Sequence, residues 1–272
     1  MEREWHIAKQ QIQQADALLI TAGAGMGVDS GLPDFRGDEG FWEAYPVAER
    51  LGLSFVELAS PAWFERDPAL AWAFYGHRLQ LYRQTAPHEG FGMLLELAHS
   101  KQDHFVFTSN VDGQFQKAGF AEDRIYECHG SIHYLQCTVC AEPIYSAEGI
   151  EIPVDMESFA ALDIPLCPSC GAVARPNILM FGDWGWDSSR SDTQSVQMEA
   201  FVQRVQSSGQ KLVIIEIGAG EHIPTVRHLS EEMARVLDGF VVRVNPRDPY
   251  IDERLGVGLA MGGAAGISKI YL

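Results

Sequence analysis

The sequence is short of basic residues: 20 Lys and Arg stand against 37 Asp and Glu, a formal net charge of −17 at pH 7 over 272 residues. Sequence-independent binding of nucleic acid needs lysine and arginine facing phosphate, so we exclude DNA and RNA as principal ligands. Long apolar runs are also missing, and none approaches the roughly 20 residues of a membrane-spanning helix. The first residues contain no apolar signal core. We therefore expect a cytoplasmic protein with no membrane partner.

Cysteine is scarce as well, and its arrangement indicates metal binding. Four of the five cysteines form two Cys-x-x-Cys pairs, which are Cys137 with Cys140 and Cys167 with Cys170. Two residues between thiolates let a tight turn direct both sulfurs at one ion, and four thiolates leave no open position. The spacing therefore predicts a structural zinc ion in a reducing compartment. The fifth cysteine, Cys128, adjoins His129. We expect it to be buried packing, because neighbouring residues on a strand point to opposite faces.

The rest of the composition is that of a globular protein, and its 46% hydrophobic content excludes disorder as the main state. Five short apolar runs without alternation are typical of parallel strands covered on both faces. These runs are residues 17–22, 105–108, 178–181, 212–217 and 240–244. Amphipathic helices are predicted at residues 3–16, 90–99, 194–206 and 225–237. This alternation predicts an α/β fold with a doubly wound, Rossmann-like parallel sheet.

Two segments interrupt the alternation. Residues 41–84 have a helical pattern rich in aromatic side chains, which we expect to fill a core. Residues 137–170 carry the four paired cysteines and four prolines. We interpret both segments as insertions that form a smaller lobe. The predicted organisation is a sheet domain made of residues 1–37, 85–132 and 174–272, with a helical insertion at 38–84 and a zinc-binding insertion at 133–173.

A glycine-rich loop follows the first predicted strand and begins Gly23-Ala24-Gly25. Glycines at a strand-to-helix turn let backbone N–H groups approach a pyrophosphate. The loop ends in Pro33-Asp34-Phe35-Arg36, which places a carboxylate, an aromatic ring and a cation beside this backbone. Such a set can cover a nicotinamide riboside and pair with phosphate. An ordinary loop with a capping aspartate is the alternative for these four residues taken alone.

These motifs resemble those of the sirtuin family, the NAD-dependent protein-lysine deacylases, whose loop reads Gly-Ala-Gly-x-Ser-x-x-Ser-Gly-Ile-Pro-Asp-Phe-Arg. This chain matches that loop except at Gly27 and Leu32. Three further motifs follow in the family's order: Thr108-Ser109-Asn110-Val111-Asp112, Glu127-Cys128-His129-Gly130-Ser131 and, after the cysteines, Arg175-Pro176 with Phe181-Gly182-Asp183. Because the motifs span nearly the whole chain, it is identified as a divergent, bacterial-type member of that family.

The resemblance implies an NAD-binding sheet domain, a structural zinc ion and three catalytic residues. It makes His129 the general base for a ribose hydroxyl, Asn110 the residue that orients ribose or water, and Asp112 the partner of the nicotinamide carboxamide. The implied cofactor-binding residues are Gly23, Ala24, Gly25, Asp34, Phe35, Arg36, Ser109, Asn110, Asp112, Gly218, Ala219, Gly220, Asn245, Ala264 and Ala265. The structural alternatives are a core histidine and turn-forming Asn and Asp.

A second set of residues concerns the substrate. Tyr75 and Arg78 are three apart on a candidate helix and share a face. In sirtuins that prefer succinyl- or malonyl-lysine, a Tyr-x-x-Arg pair binds the acyl carboxylate, which arginine can hold with two hydrogen bonds. The implied substrate-binding residues are Tyr75, Arg78, Phe181, Gly182 and Trp184. The expected activity is deacylation of lysine side chains in proteins or peptides, yielding nicotinamide and O-acyl-ADP-ribose, with acetyl or acidic acyl groups as substrates.

Two departures from the family pattern keep other functions open. Gly218-Ala219-Gly220 replaces the family's Gly-Thr-Ser, which removes two hydroxyls near the phosphates. Trp184 and Trp186 follow the Phe-Gly segment, where they can cap or obstruct the groove for the acyl-peptide. The alternatives are a protein ADP-ribosyltransferase or NAD hydrolase on the same fold, and a non-enzymatic NAD sensor. The presence of His129, Asn110 and Asp112 argues against the sensor.

Overall fold

A parallel sheet forms the centre of the protein, seen in a computed structural model that describes residues 2–34 and 37–271. The strands are β1 Ala17–Ala22, β2 Asp103–Thr108, β3 Ile125–Glu127, β4 Gly130–Cys137, β5 Tyr145–Ser146, β6 Val154–Asp155, β7 Ala160–Ala161, β8 Ala174–Ile178, β9 Leu212–Ile217, β10 Phe240–Val244 and β11 Gly256–Leu259. The helices are α1 Glu2–Gln14, α2 Gly37–Ala44, α3 Pro46–Arg50, α4 Phe55–Leu58, α5 Trp63–Arg66, α6 Pro68–Gln84, α7 Glu89–His99, α8 Gln114–Lys117, α9 Ser189–Ser208, α10 Thr225–Val236 and α11 Gly263–Ile270. In the described part of the chain, no helix is both long and apolar enough to cross a membrane.

The sheet has the strand order β11-β10-β9-β1-β2-β3, and all its neighbouring pairs are parallel. Along the chain, β2 and β3 add to one side of β1, whereas β9, β10 and β11 add to the other. The point between β1 and β9 is therefore a topological switch point, where open α/β sheets bind ligands beyond the carboxyl ends of the strands. The predicted α/β fold with a Rossmann-like sheet is confirmed.

The predicted strands at residues 17–22, 212–217 and 240–244 are confirmed, and β2 begins two residues before the predicted residue 105. The predicted helices correspond to α1, α7, α9 and α10, with shifted ends. The prediction that residues 178–181 form a strand of the parallel sheet is wrong. Ile178 ends β8, which pairs antiparallel with β4 in a separate three-stranded sheet. In this segment Ile178 and Met180 are buried but Leu179 and Phe181 are exposed, so it packs on one face only.

The aromatic residues of the first insertion fill a core, as predicted. Phe41, Tyr45, Trp72 and Phe74 are fully buried in a cluster that also contains side chains from the zinc-binding segment. The Tyr45 and Phe74 rings meet edge to face, with centroids 5.2 Å apart, an arrangement that adds about 0.5–1.5 kcal/mol to the effect of burial alone. The Trp72 indole donates to the Ala174 carbonyl at 2.8 Å and joins α6 to β8. The boundaries proposed for the two domains stay predictions.

Candidate functional site

The loops that follow β1 and β9 lie against each other at the switch point. Gly23 N donates to the Ile217 carbonyl and Gly25 N to the Gly218 carbonyl, both at 3.0 Å. Gly218 has a φ of +64°, and a Cβ added there would come within 2.3 Å of Met26 N. Only glycine permits this approach. Two short 3₁₀ turns, Ala24–Met26 and Val28–Ser30, follow β1 where a strand-to-helix turn was predicted.

Asn110 and Asp112 meet the glycine-rich loop from the end of β2. Asn110 Nδ2 donates to the Gly23 carbonyl at 3.0 Å. Asp112 Oδ1 accepts from Gln114 N at 2.9 Å, and its Oδ2 lies 3.7 Å from the position of a Cβ built on Gly27. The structure therefore brings both predicted residues to the loop, although more than 80 residues of sequence separate Asn110 from Gly23 and Asp112 from Gly27.

The Asp112 carboxyl is buried, and its environment is unusual for an aspartate. Burial raises its pKa to about 6, aided by the nearby negative charge of Glu127, while the hydrogen bond from Gln114 N and the positive charge of Arg78 oppose the rise. The His133 ring lies beside it, with Nε2 2.9 Å from the Asp112 carbonyl oxygen. At pH 7 the carboxylate is mainly ionised and can accept hydrogen bonds, and it takes up a proton close to pH 6.

His129 lies at the same edge, just after β3. Its imidazole is half-buried, and burial lowers its pKa, while a hydrogen bond to the Ser109 backbone opposes that shift. The ring is consequently neutral at pH 7, as a general base requires. Cys128 is half-buried and packs against the core, as expected for a packing residue. Burial raises the pKa of its thiol to about 12, so it is not a nucleophile.

The backbone around His129 is held from two sides. Gly130 has a φ of +76°, and a Cβ there would lie 2.1 Å from the Asn177 carbonyl oxygen, so the strand crossing requires glycine after the histidine. On the other side, Arg190 Nη2 binds the buried Glu127 carboxylate at 2.6 Å, and Ser191 Oγ donates to the Glu127 carbonyl at 2.9 Å. Helix α9 thereby anchors the end of β3.

The predicted cofactor-binding residues Asn245, Ala264 and Ala265 occupy two different environments. The Asn245 side chain is completely buried and donates to the Ala219 carbonyl at 2.8 Å, so in this structure it binds a loop. Ala264 N donates to Asp29 Oδ2 at 2.7 Å, which joins the start of α11 to the glycine-rich loop. Ala265 is exposed on the same helix.

The predicted cofactor residues at the end of the glycine-rich loop are only partly described. Asp34 is half-buried. Phe35 and Arg36 lie outside the described residues, so their predicted part in binding stays a prediction.

Tyr75 and Arg78 are both buried and share one face of α6, as predicted. The Arg78 guanidinium carbon lies 5.6 Å from the Tyr75 ring centroid and 5.0 Å from that of Phe74. Its Nη2 donates to the Tyr82 hydroxyl at 2.8 Å. Burial raises the pKa of Tyr75 to about 12, although the Arg78 charge opposes the rise. The result is a cation held among aromatic rings, and its charge acts on the Asp112 carboxyl.

The predicted peptide-binding residues lie on a turn that follows β8. The buried Asp183 carboxylate pairs with Arg175, and Arg175 Nη1 lies 3.1 Å from Asp183 Oδ1. Phe181 N donates to the Ala59 carbonyl, just after α4, at 3.0 Å. Gly182 has a φ of +66°. Trp184 is 100% exposed at the tip. The turn thus presents this ring to solvent.

The four predicted zinc ligands meet in one cluster, in which all four sulfur atoms lie within 4.8 Å of one another. The sulfur of Cys137 is 3.5 Å from that of Cys170, and the sulfur of Cys140 is 3.6 Å from that of Cys167. Zn–S bonds of about 2.3 Å in a tetrahedron place sulfurs about 3.8 Å apart. The quartet therefore fits a structural zinc ion.

We expect Cys137→Ser to lose the bound zinc and to lower the free energy of unfolding by roughly 3 kcal/mol or more, because metal binding contributes directly to folding. Zinc content and thermal unfolding measure the two effects. Cys128→Ser is the matched control and should keep one zinc per chain. A Cys137→Ser protein with unchanged stability and activity would contradict the structural role.

Together, the parallel sheet, the glycine-rich loop at its switch point and the adjoining carboxylate and imidazole define a nucleotide-binding enzyme fold with a cysteine-bound metal module. The Sir2 family profile matches residues 23–210, and the chain belongs to this family. The resemblance to sirtuins seen in the motifs is thereby confirmed.

Individual relatives agree with this assignment. The "NAD-dependent protein deacylase 1" of Caldanaerobacter subterraneus subsp. tengcongensis is 27% identical over 259 residues, covering 95% of this chain and 94% of the relative. The "NAD-dependent protein deacylase" of Methylococcus capsulatus is 29% identical, with coverages of 94% and 90%. A crystal structure of a Sir2 homologue–NAD complex has a TM-score of 0.74 at 22% identity, with coverages of 98% and 92%. At that identity the structural likeness supports the fold.

The sequence motifs did not predict two residues that contact the loops after β1 and β9. Arg227, in the first turn of α10, contacts the Ala219 carbonyl. His88 lies beside the glycine-rich loop, with its Nε2 3.1 Å from the Met26 carbonyl oxygen. Neither residue belongs to a motif. The only available signal is a cation in the first turn of a predicted helix, where the helix dipole disfavours it.

Proposed function

We propose that the protein is an NAD-dependent protein-lysine deacylase that converts acyl-lysine, NAD and water into lysine, nicotinamide and O-acyl-ADP-ribose. The observation that supports this most is the meeting of Asn110 and Asp112 with the glycine-rich loop at the switch point of the sheet. His129 joins them through a hydrogen bond to the backbone of Ser109, the residue before Asn110. Relatives that match nearly the whole chain carry the name deacylase.

The residues present fit a dinucleotide. The glycine-rich loop and residues 218–220 supply closely approaching backbone at the switch point, and the buried Asp112 carboxylate can accept a hydrogen bond from a carboxamide N–H. NAD, when bound, supplies the ribose carbon that takes the acyl oxygen and the nicotinamide that leaves. The neutral His129 imidazole would accept the proton of a ribose hydroxyl. Asn110, whose Nδ2 is bound to Gly23, would offer its amide oxygen to ribose or water.

The proposed substrates are acylated lysine side chains of proteins or peptides. The turn that carries Phe181, Gly182 and Trp184 would bind the substrate backbone, as the resemblance implies, and the acidic surface of the chain suits lysine-rich segments. We place this activity in the cytoplasm, where four closely spaced thiols stay reduced.

Incubation of the zinc-loaded protein with NAD and acetyl- or succinyl-lysine peptides tests the proposal. Release of nicotinamide that requires the acylated peptide, together with formation of O-acyl-ADP-ribose, supports deacylation. Nicotinamide release without an acylated peptide would instead favour ADP-ribosyl transfer or NAD hydrolysis. Binding of NAD without turnover would contradict an enzymatic role.

The caged guanidinium of Arg78 favours acyl groups that carry a carboxylate, such as succinyl or malonyl. A buried arginine gains most from an anion that enters its site, because little water screens the pair. We expect Arg78→Met to lower desuccinylation about 100-fold, with much less effect on deacetylation.

The measurement is kcat/KM with matched succinyl- and acetyl-peptides. Arg83→Met is the matched control, because Arg83 lies on the same helix but binds the carbonyls of Ile150 and Ala147. It should leave the preference between the two peptides unchanged. Equal losses with both peptides in Arg78→Met would rule out a carboxylate clamp.

A further inference from the structure

The loop after β9 is held by a network of hydrogen bonds to which the proposed function assigns no role. The Ala219 carbonyl accepts two hydrogen bonds, one from Arg227 Nε at 3.1 Å and one from Asn245 Nδ2 at 2.8 Å. All three residues are buried. This carbonyl belongs to the segment that has lost the two hydroxyls of the family's Gly-Thr-Ser.

Arg227 occupies a position where a cation is unfavourable. It is the third residue of α10, where the positive end of the helix dipole opposes a positive charge. Burial also lowers its pKa, as does the nearby charge of Arg243, while the charges of Glu216 and Glu221 oppose the shift. A buried arginine at this position is costly unless its donors are used. The donors of Arg227 bind carbonyls on two loops, the one after β9 and the one after β10.

The second loop follows β10. Arg227 Nη2 donates to the Asp248 carbonyl. Asn245 Oδ1 accepts from Arg247 N and Asp248 N, both at 3.0 Å. The contacts among Ala219, Arg227, Asp248 and Asn245 close a ring, so the loops after β9 and β10 are held as one unit against the start of α10.

This ring determines the direction of a backbone donor. In a planar trans peptide the carbonyl of one residue and the N–H of the next point in opposite directions. Holding the Ala219 carbonyl on Arg227 therefore points the Gly220 N–H away from Arg227. Within residues 2–34 and 37–271, no protein acceptor pairs with that N–H. The same loop touches Gly25 through Gly218.

We propose that Arg227 is a positioning residue for the pyrophosphate of the dinucleotide: it holds the Ala219–Gly220 peptide so that the Gly220 N–H binds a phosphate oxygen in place of the missing hydroxyls. The proposal rests on the proposed function, because it requires that the chain binds NAD. Arg227 itself is not placed on the ligand, since its Nε and Nη2 are bound to protein carbonyls. Its Nη1 lies 3.5 Å from the Glu221 carboxylate.

Binding of ADP-ribose to the zinc-loaded full chain, measured by calorimetry, tests the proposal, together with separate KM values for NAD and for the acyl-peptide. We expect Arg227→Met to weaken ADP-ribose binding and to raise the KM for NAD by about tenfold, the loss of one oriented phosphate contact. The KM for the peptide and kcat at saturating NAD should stay within about twofold. Arg227→Lys, which reaches only one carbonyl, should lie in between.

Arg204→Met is the matched control. Arg204 Nε binds Asp103 at 2.7 Å, at the amino end of β2 and so at the opposite edge of the sheet, and ADP-ribose affinity should not change. If the wild-type chain does not bind ADP-ribose, the proposed function fails. If the wild type binds and both Arg227 variants bind equally well, the positioning role is overturned. It is also overturned if the variants lose melting temperature and kcat together while the KM for NAD is unchanged.

Discussion

Replacing His129 with alanine should lower the rate of deacylation by about 10²–10⁴-fold, the usual contribution of a general base. The imidazole is half-buried and its lowered pKa keeps it neutral at pH 7, so it can take a proton. The variant should still bind zinc and fold, because the nearby contacts through Glu127 and Gly130 do not involve the ring.

Single-turnover product formation at saturating NAD measures this effect, with thermal unfolding and zinc content as checks on the fold. His99→Ala is the matched control, since His99 is exposed in the last turn of α7, and it should keep the wild-type rate. Deacylation by His129→Ala at a rate near that of the wild type would refute the base assignment.

Replacing Asp112 with asparagine should have opposite effects on activity and stability. The kcat/KM for NAD should fall about 100-fold, because the buried carboxylate that we propose as the partner of the nicotinamide carboxamide is lost. The free energy of unfolding at pH 7 should rise by about 1–3 kcal/mol. Burial raises the Asp112 pKa to about 6, so the ionised form is disfavoured in the folded state, and the neutral amide removes that cost.

The raised pKa of Asp112 also predicts how stability depends on pH. The unfolded chain ionises Asp112 near its ordinary pKa of 3.8, whereas the folded chain holds the proton until about pH 6. The contribution of Asp112 to stability is therefore present below the unfolded pKa and is lost as the pH rises through the folded value. The variant should gain stability relative to wild type at pH 7 but hardly at all near pH 3. For the wild type, the affinity for NAD should decrease as the pH falls through about 6.

Asp103→Asn provides a control of opposite sign. Burial alone would raise the pKa of Asp103, but hydrogen bonds from Arg204 and Arg124 hold it below its usual value. Its removal should therefore reduce stability at pH 7. Urea unfolding at pH 7 and pH 5, combined with NAD kinetics, separates the two aspartates. An Asp112→Asn protein that is less stable than wild type yet fully active would contradict both parts of the prediction.

The strands of the parallel sheet could be predicted because burial on both faces leaves a continuous apolar run, and this signal lies within a few residues. The run at residues 178–181 fails the same test, since Leu179 and Phe181 are exposed and only partner strands reveal this. The edge strands β3 and β11 are short, so their own residues carry little pattern.

The candidate site likewise combines residues that local motifs predict with contacts that only the folded chain shows. The spacing of the cysteines indicated the zinc ligands, because metal binding demands particular side chains at particular spacings. The resemblance to sirtuin motifs singled out His129, Asn110 and Asp112, whose proposed roles stay predictions. The bond between Asn110 and Gly23, the burial of Asp112 and the inward turn of Asn245 onto Ala219 follow only from the packed chain.

Local periodicity was thus enough to predict the four central strands of the sheet, cysteine spacing indicated the metal ligands, and the resemblance of the motifs indicated the family. The raised pKa of Asp112, the cage around Arg78 and the ring of contacts through Arg227 depend on residues far apart in the chain. Burial and hydrogen-bond direction are properties of the assembled fold, since each requires neighbours that no local stretch of sequence contains.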